Sequence, residues 1–114
     1  MKKVSIDDIE SVHHEGSEGV DFRALLAQNV KAPNFYLRIL DIAPGGHTPH
    51  HSHHWEHGTF VAKGRGKVVL TDREERIREG DAVLVEPDEK HMFVNDSKSL
   101  LRVVCVIPKP ESDR

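Results

Sequence analysis

Six of the nine histidines in this 114-residue chain lie between positions 47 and 57, in the run His47-Thr-Pro-His50-His51-Ser-His53-His54-Trp-Glu-His57. Average composition does not produce such a cluster, and neutral imidazole is the commonest metal-ligating side chain. His51 and His53 are two residues apart, so on an extended strand both point to one face and can reach one ion. His57 keeps the same parity if the extended path continues. A fourth ligand must come from elsewhere in the chain, and His91, at the start of an apolar strand segment, is the one histidine downstream of the cluster. His47, His50, His54 and Glu56 remain alternative donors, although His50 and His54 have the opposite parity and Pro49 separates His47 from His51. The run is broken by Ser52, Trp55 and Glu56, unlike a tract that scavenges metal without a built site.

Four neutral imidazoles would leave the +2 charge of a divalent ion uncompensated, whereas three histidines and a carboxylate would halve it. The lower oxidation state is therefore favoured. In octahedral coordination, four protein ligands leave two positions for water, dioxygen, peroxide or a chelating substrate, the open arrangement of a catalytic site. Imidazole suits Zn, Cu, Fe and Ni alike, so spacing does not choose the metal.

The elements that must position these rings read as strands and turns. From Asn34 onward apolar runs alternate with turn residues at the spacing of an all-β barrel or sandwich. Asn34 to Asp41 alternates, with Phe35, Leu37 and Ile39 on one face and Arg38 on the other, which predicts a strand with one buried side; Ala43-Pro-Gly-Gly46 then turns the chain. Thr59 to Ala62 and Lys67 to Thr71 are β-rich and predict a hairpin through Gly64-Arg-Gly66. A second hairpin follows through Asp72 to Glu75, and Glu79-Gly80-Asp81 leads into Ala82 to Val85. Glu86-Pro-Asp-Glu89 breaks that run, and His91 to Val94 resumes it. In the last strand, Leu100 to Ile107, Arg102 shares a face with Val104 and Val106, so an outward Arg102 turns Cys105 inward. Ile6 to Val12 is read as a helical turn or an extended arm, Val20 to Val30 as an edge strand, and Pro108 to Arg114 as a frayed tail.

These residues also carry a family pattern. The spacing resembles the cupin superfamily, whose first motif is a glycine, five residues, His-x-His, three or four residues, a glutamate, six residues and a glycine. Gly45, His51, His53 and Gly64 meet it, with His57 where the glutamate stands. Gly80, His91 and Asn95 match the second motif, in which Glu86 replaces a proline and Asp88 a glycine. The segments Ala32-Pro-Asn-Phe35, Pro44-Gly-Gly46, Trp55-Glu-His57, Glu86-Pro87 and Ile107-Pro-Lys109 look like the small four-histidine manganese cupins of thermophilic bacteria. The resemblance implies an all-β fold, the cupin conserved β-barrel (a double-stranded β-helix, or jelly roll). That barrel would span residues 19–109, between an N-terminal arm, 1–18, and a C-terminal tail, 110–114. It also implies a homodimer, one divalent ion per chain on His51, His53, His57 and His91, manganese before Fe, Ni, Cu or Zn, and oxidative chemistry with peroxide or dioxygen.

The expected activity is thus that of a metal-dependent oxygenase or oxidase acting on a small organic substrate. The alternatives are a non-redox isomerase or lyase, in which the ion acts as a Lewis acid, and a non-catalytic module that binds a small ligand or metal. A net charge of −3 and a pI near 6.3 give no electrostatic reason to approach nucleic acid or an anionic membrane. The longest apolar runs are far shorter than a membrane span, and Lys2 and Lys3 precede acidic residues, so a soluble cytoplasmic protein is expected. The one cysteine, Cys105, excludes an intrachain disulfide. It is read as a small buried residue, with a thiol near the metal as the sharper alternative. His13, His14, His47, His50 and His54 are read as solvated or supporting groups, and Phe35, Phe60 and Phe93 as barrel packing.

Overall fold

The computed structural model describes residues 1–114. Eight strands carry the fold: β1 (Glu18–Leu26), β2 (Phe35–His47), β3 (His57–Lys63), β4 (Arg65–Leu70), β5 (Glu74–Arg78), β6 (Ala82–Val85), β7 (His91–Val94) and β8 (Leu101–Pro108). Three single 3-10 turns, Ile6–Asp8, Gln28–Val30 and Glu111–Asp113, complete the structure, and no helix is long and apolar enough to cross a membrane. All strand pairs are antiparallel, in the order β5-β4-β7-β2-β8-β3-β6, with β1 on the other side of β2. The curled sheet is the all-β barrel expected from the sequence. Its two ends, β5 and β6, face an opening of about 340 Å³ that no histidine lines.

β2 joins the two halves. Its first part pairs with β8, from Phe35↔Pro108 to Ile42↔Leu101, and its last residue, His47, pairs with Val94 of β7. The turn predicted at Ala43-Pro-Gly-Gly46 is therefore a bend inside one 13-residue strand. Gly45 takes φ +81° there, and a Cβ on Gly46 would lie 2.6 Å from the Glu18 carbonyl oxygen, so glycine is what lets β1 follow β2 around the bend.

The hairpin predicted through Gly64-Arg-Gly66 does not form. β3 pairs with β6 and β8, whereas β4 pairs with β5 and β7. Gly64, at φ +83°, switches the chain from one half of the barrel to the other, and a Cβ there would run into the Leu100 carbonyl. Two β-rich runs joined by glycines look the same in sequence whether they pair or part. The hairpin through Asp72 to Glu75 does form, with Val69 opposite Glu74 and the Leu70 N–H donating to the Arg73 carbonyl.

The segments flanking the barrel are more ordered than their sequence suggests. Val12 pairs with Phe22 at the edge of β1, and Arg23 Nε donates to the Ile9 carbonyl. The tail is not frayed: Tyr36 Oη donates to Asp113 Oδ2 at 2.8 Å, and the Lys109 N–H donates to the Asn34 carbonyl.

One buried cluster, including Ile42, Val61, Val85, Leu101 and Val103, fills one part of the interior, and Ala27, Tyr36, Cys105 and Ile107 form a smaller second one. Phe93 packs inside, but Phe35 and Phe60 are about half exposed, so two of the three phenylalanines read as barrel packing lie on the surface. Phe60 and Leu84 stand out from the face of β3 and β6. Arg102 grips the largely buried Asp41 through Nε and Nη2 at 2.7 and 2.8 Å on the outer side, and Cys105 points inward as the parity requires.

Asn95, the last residue of the second motif, is fully buried and fully bonded. Its Nδ2 donates to the carbonyls of Ile42 and Ser99 at 2.8 and 2.7 Å, and its Oδ1 accepts from Ser97 N–H and Oγ. Asn95→Ala strands these partners, and the expected loss is about 3 kcal/mol, within the cost of leaving buried polar groups unpaired. Urea unfolding checks this, with metal binding expected to stay near wild type, because Asn95 does not line the histidine cavity.

Candidate metal centre

The four predicted ligands come from three pieces of chain. His51 lies outside the named strands but pairs with His91: its N–H donates to the His91 carbonyl at 3.1 Å, and the His91 N–H returns the bond at 2.9 Å. Thr48 extends this seam, since its N–H donates to the Phe93 carbonyl and its Oγ1 accepts from the Phe93 N–H. His53 is held from the other side, where its carbonyl accepts the Asp88 N–H at 2.7 Å. Asp88 stands in place of the motif glycine and adopts φ +66°, a left-handed conformation that aspartate tolerates. The chain bends at His54 and Trp55 instead of running extended. His57 nevertheless faces inward, because it opens β3, in which His57, Thr59 and Val61 alternate as the buried positions.

His51, His53 and His91 each offer a ring nitrogen, all within 4.8 Å of one another, so these three are positioned to bind a metal ion. Their ring centroids are 5.1–5.3 Å apart. The His57 ring lies 5.1 Å from His53 and 4.9 Å from His91, and its Nε2 is 3.2 Å from His91 Nε2.

Proton positions follow from the partners. A carbonyl can only accept, so His53 Nδ1 carries its hydrogen toward the Trp55 carbonyl at 2.8 Å, and His91 Nδ1 carries its own toward the Glu89 carbonyl at 2.8 Å. Both rings therefore present Nε2 lone pairs, the orientation that outer partners impose on metal-ligating histidines. His57 Nδ1 lies 3.0 Å from Cys105 Sγ. With its proton on Nδ1, His57 donates to sulfur and sets a lone pair against that of His91, an arrangement that a cation between them satisfies. The donor set fits a metal ion on these grounds.

Burial pushes His57 down to about 3, helped by the neighbouring His91 and His53. His51 falls to about 4, again mainly through burial, then through His91 and His53. Burial also lowers His91, opposed in part by its bond to the Glu89 carbonyl. Neutral rings are the form that binds metal.

The alternative donors lie elsewhere. His50 and Glu56 are exposed, the exposed His54 bonds to Asp88 Oδ1 at 2.6 Å, and the Nδ1–H of His47 donates to the Thr48 carbonyl. The rings open into a cavity of about 160 Å³ whose walls include Phe22, Leu40, Phe93 and Val103. At about 30 Å³ per water this is room for roughly five, small beside an ordinary ligand site.

Several cavity residues escaped the sequence reading. His14 stacks on Phe22 at 3.9 Å, Trp55 stacks on His53 at 4.6 Å, and Thr59 and Arg38 line the wall. Arg38 is the plainest correction, because its face of β2, with Tyr36 and Leu40, turns inward while Phe35 is exposed. Apolar residues at both parities were the available signal, since a strand covered on both sides loses its alternation.

A rolled antiparallel sheet with imidazoles at its mouth defines a β-barrel protein with three histidines positioned to bind a metal ion. Residues 38–107 match the Cupin domain family, and the chain belongs to that family. It is 32% identical to the polyketide cyclase RemF from Streptomyces resistomycificus, with a TM-score of 0.88 over 96% of this chain and 80% of that one. A predicted oxalate decarboxylase from Thermotoga maritima shares the fold at 18% identity and a TM-score of 0.83, over 96% of this chain and all of that one. Among curated proteins, the 1-methylthio-D-xylulose 5-phosphate methylsulfurylase of Rhodospirillum rubrum is 26% identical over 88% of this chain, which spans 65% of that enzyme's length.

The lowered histidines set a pH dependence. Between the unfolded value of 6.5 and the folded values of about 4 and about 3, the unfolded chain binds more protons than the native one. Stability of the metal-free protein is therefore full above pH 6.5 and falls as pH drops toward 3. Chemical denaturation from pH 7.5 to 4 checks this, and His57→Gln is expected to flatten the slope.

Proposed function

We propose that this chain is a metal-dependent enzyme that holds one divalent transition ion, manganese first, on His51, His53, His57 and His91, and that it uses dioxygen or peroxide to oxidise a small organic molecule in the adjoining cavity. The observation that carries this reading is the convergence of histidine ring nitrogens at the mouth of a cavity that has Phe22, Leu40, Phe93 and Val103 in its wall. A bound ion would supply Lewis acidity and, if redox-active, electron exchange with the oxidant. No aspartate or glutamate lines the cavity, so the charge of a bound ion would be left uncompensated, which favours the lower oxidation state. Manganese comes from the resemblance to the four-histidine cupins.

The chain's own residues have separable parts. Trp55 and the Asp88 N–H fix His53, the Glu89 carbonyl orients His91, and the His51–His91 pair sets the distance between strands. His57 and Cys105 form a proton-holding couple, in which the shared proton resides on Nδ1 when Nε2 faces a cation. Phe22, Leu40, Phe93 and Val103 exclude water and limit the substrate to a small one.

The likeness to a polyketide cyclase supports a second reading, a non-redox reaction in which the same positive cavity polarises an enol or a carbonyl. The two part on metal exchange. Manganese-loaded protein is expected to consume oxidant with small enols, phenols or alkenes, and zinc-loaded protein is not. Equal turnover with zinc would move the assignment to Lewis-acid chemistry. His57→Ala is expected to weaken metal binding by more than about tenfold, read by metal content after dialysis.

The homodimer implied by the resemblance belongs to the same proposal. The exposed Phe60 of β3 and Leu84 of β6 stand at the last strand of the sheet, where a second copy would cover an open edge. Sedimentation is expected to show a dimer that Leu84→Lys converts to monomer.

A further inference from the structure

Arg38 is a cation on the cavity wall with no acid beside it. Its guanidinium lies over the Phe22 ring at 5.4 Å and donates from Nη2 to Cys105 Sγ at 3.0 Å. Its Nε is buried and bonds to nothing. Several arginines outside the cavity do have acids, since Arg102 and Arg23 share Asp41, Arg76 holds Asp96 and Arg73 holds Glu75, while Arg65 and Arg78, which have none, are exposed to water. The lining of this cavity contains no aspartate or glutamate, and burial lowers its His51, His57 and His91.

A second orphan lies in the same row. Thr59 is 3% exposed, and its Oγ1 has no partner. Cys105 of β8 pairs in register with Arg38 of β2 on one side and with Thr59 of β3 on the other. Antiparallel partners point to the same face, so Arg38, Cys105 and Thr59 form one inward rung beside His57. Two unused buried donors, one of them cationic, flank the rung. Buried polar groups are normally paired, and an unpaired pair of this kind on a cavity wall asks for an acceptor.

We infer that the small molecule taken by this cavity is a carboxylate, held through Arg38, with Thr59 Oγ1 as the second donor. An arginine fork matches a carboxylate geometrically, and its charge grips an anion most strongly where water is excluded. The cavity volume limits the acid to a few carbon atoms. The inference rests on the cavity being the substrate site, and its test needs no turnover, so it fails separately from the oxidative reading.

The probe is propionate, with the equally sized, uncharged propionamide and with chloride as controls, titrated into diamagnetic zinc-loaded protein. Propionate is expected to shift the Arg38 Nε–H resonance in nitrogen-15 NMR spectra and to bind at least tenfold more tightly than propionamide. In Arg38→Gln, at unchanged zinc content, propionate affinity is expected to fall at least tenfold, and in Arg38→Lys, which keeps the charge and loses the fork, by less. Thr59→Val is expected to weaken propionate and leave propionamide unaffected. If Arg38→Gln does not fold, the Nε–H shift and the Arg38→Lys and Thr59→Val affinities decide. Equal binding of propionate to wild type and the variants, equal binding of propionamide, or the same Nε–H shift with chloride would each overturn the assignment. The first would mean that the acid binds through the ion alone, and the last would mean a hole for any anion.

Discussion

The paired backbone hydrogen bonds between His51 and His91 are the constraint on which the site depends. Thirty-nine residues of chain lie between these positions, yet each donates to and accepts from the other. The pair closes the barrel mouth, brings the first histidine run against β7, and sets the distance at which His51, His53 and His91 present their ring nitrogens. Thr48 and Asp88 brace the two ends of this seam through main-chain bonds and the Thr48 hydroxyl, contacts that are indifferent to side-chain identity at the histidines themselves. The scaffold can therefore keep its shape while ligand chemistry varies, which is one physical reason why a single fold serves different reactions.

Charge is distributed unequally between the two sides of the barrel wall. The chain has 19 acidic residues, and none of them lines the histidine cavity. The outward ion pairs neutralise arginines locally, whereas the inward rung keeps Arg38 beside sulfur and an aromatic ring. Burial then holds His57 and His51 neutral well below the range where free imidazole takes up a proton. This costs the metal-free protein stability in acid and leaves the rings ready to accept a cation. The interior sets three histidines positioned for a metal ion near an arginine with no acid beside it, a juxtaposition that pairing every charge internally would have removed.

The departures from the cupin motifs have structural explanations of different kinds. Asp88 replaces a glycine and still takes the left-handed conformation the turn needs, with its N–H bonded to His53. His57 replaces an acid and alters the electrostatics, since an imidazole cannot offset the charge of an ion as a carboxylate does. Its contact with Cys105 gives its ring a partner in the position where the outer histidines use carbonyls.

The sequence by itself determined the alternation of the strands, and with it the inward turn of Cys105, and it marked His51, His53 and the distant His91 as candidates to meet. Period-two geometry is local, so it is legible wherever a strand is. Glu86-Pro-Asp-Glu89 and the Asp72 to Glu75 hairpin were legible for a similar reason, because turn residues act on their own neighbours. Only the tertiary structure decided which face of β2 is inside, that β3 and β4 part at Gly64, and that the tail docks through Asp113. Each depends on what packs against a segment from far along the chain. Arg38 shows the cost of that gap: alternation placed it opposite Phe35 but could not say which of the two faced water, because only closure of the barrel makes one side of a sheet an interior.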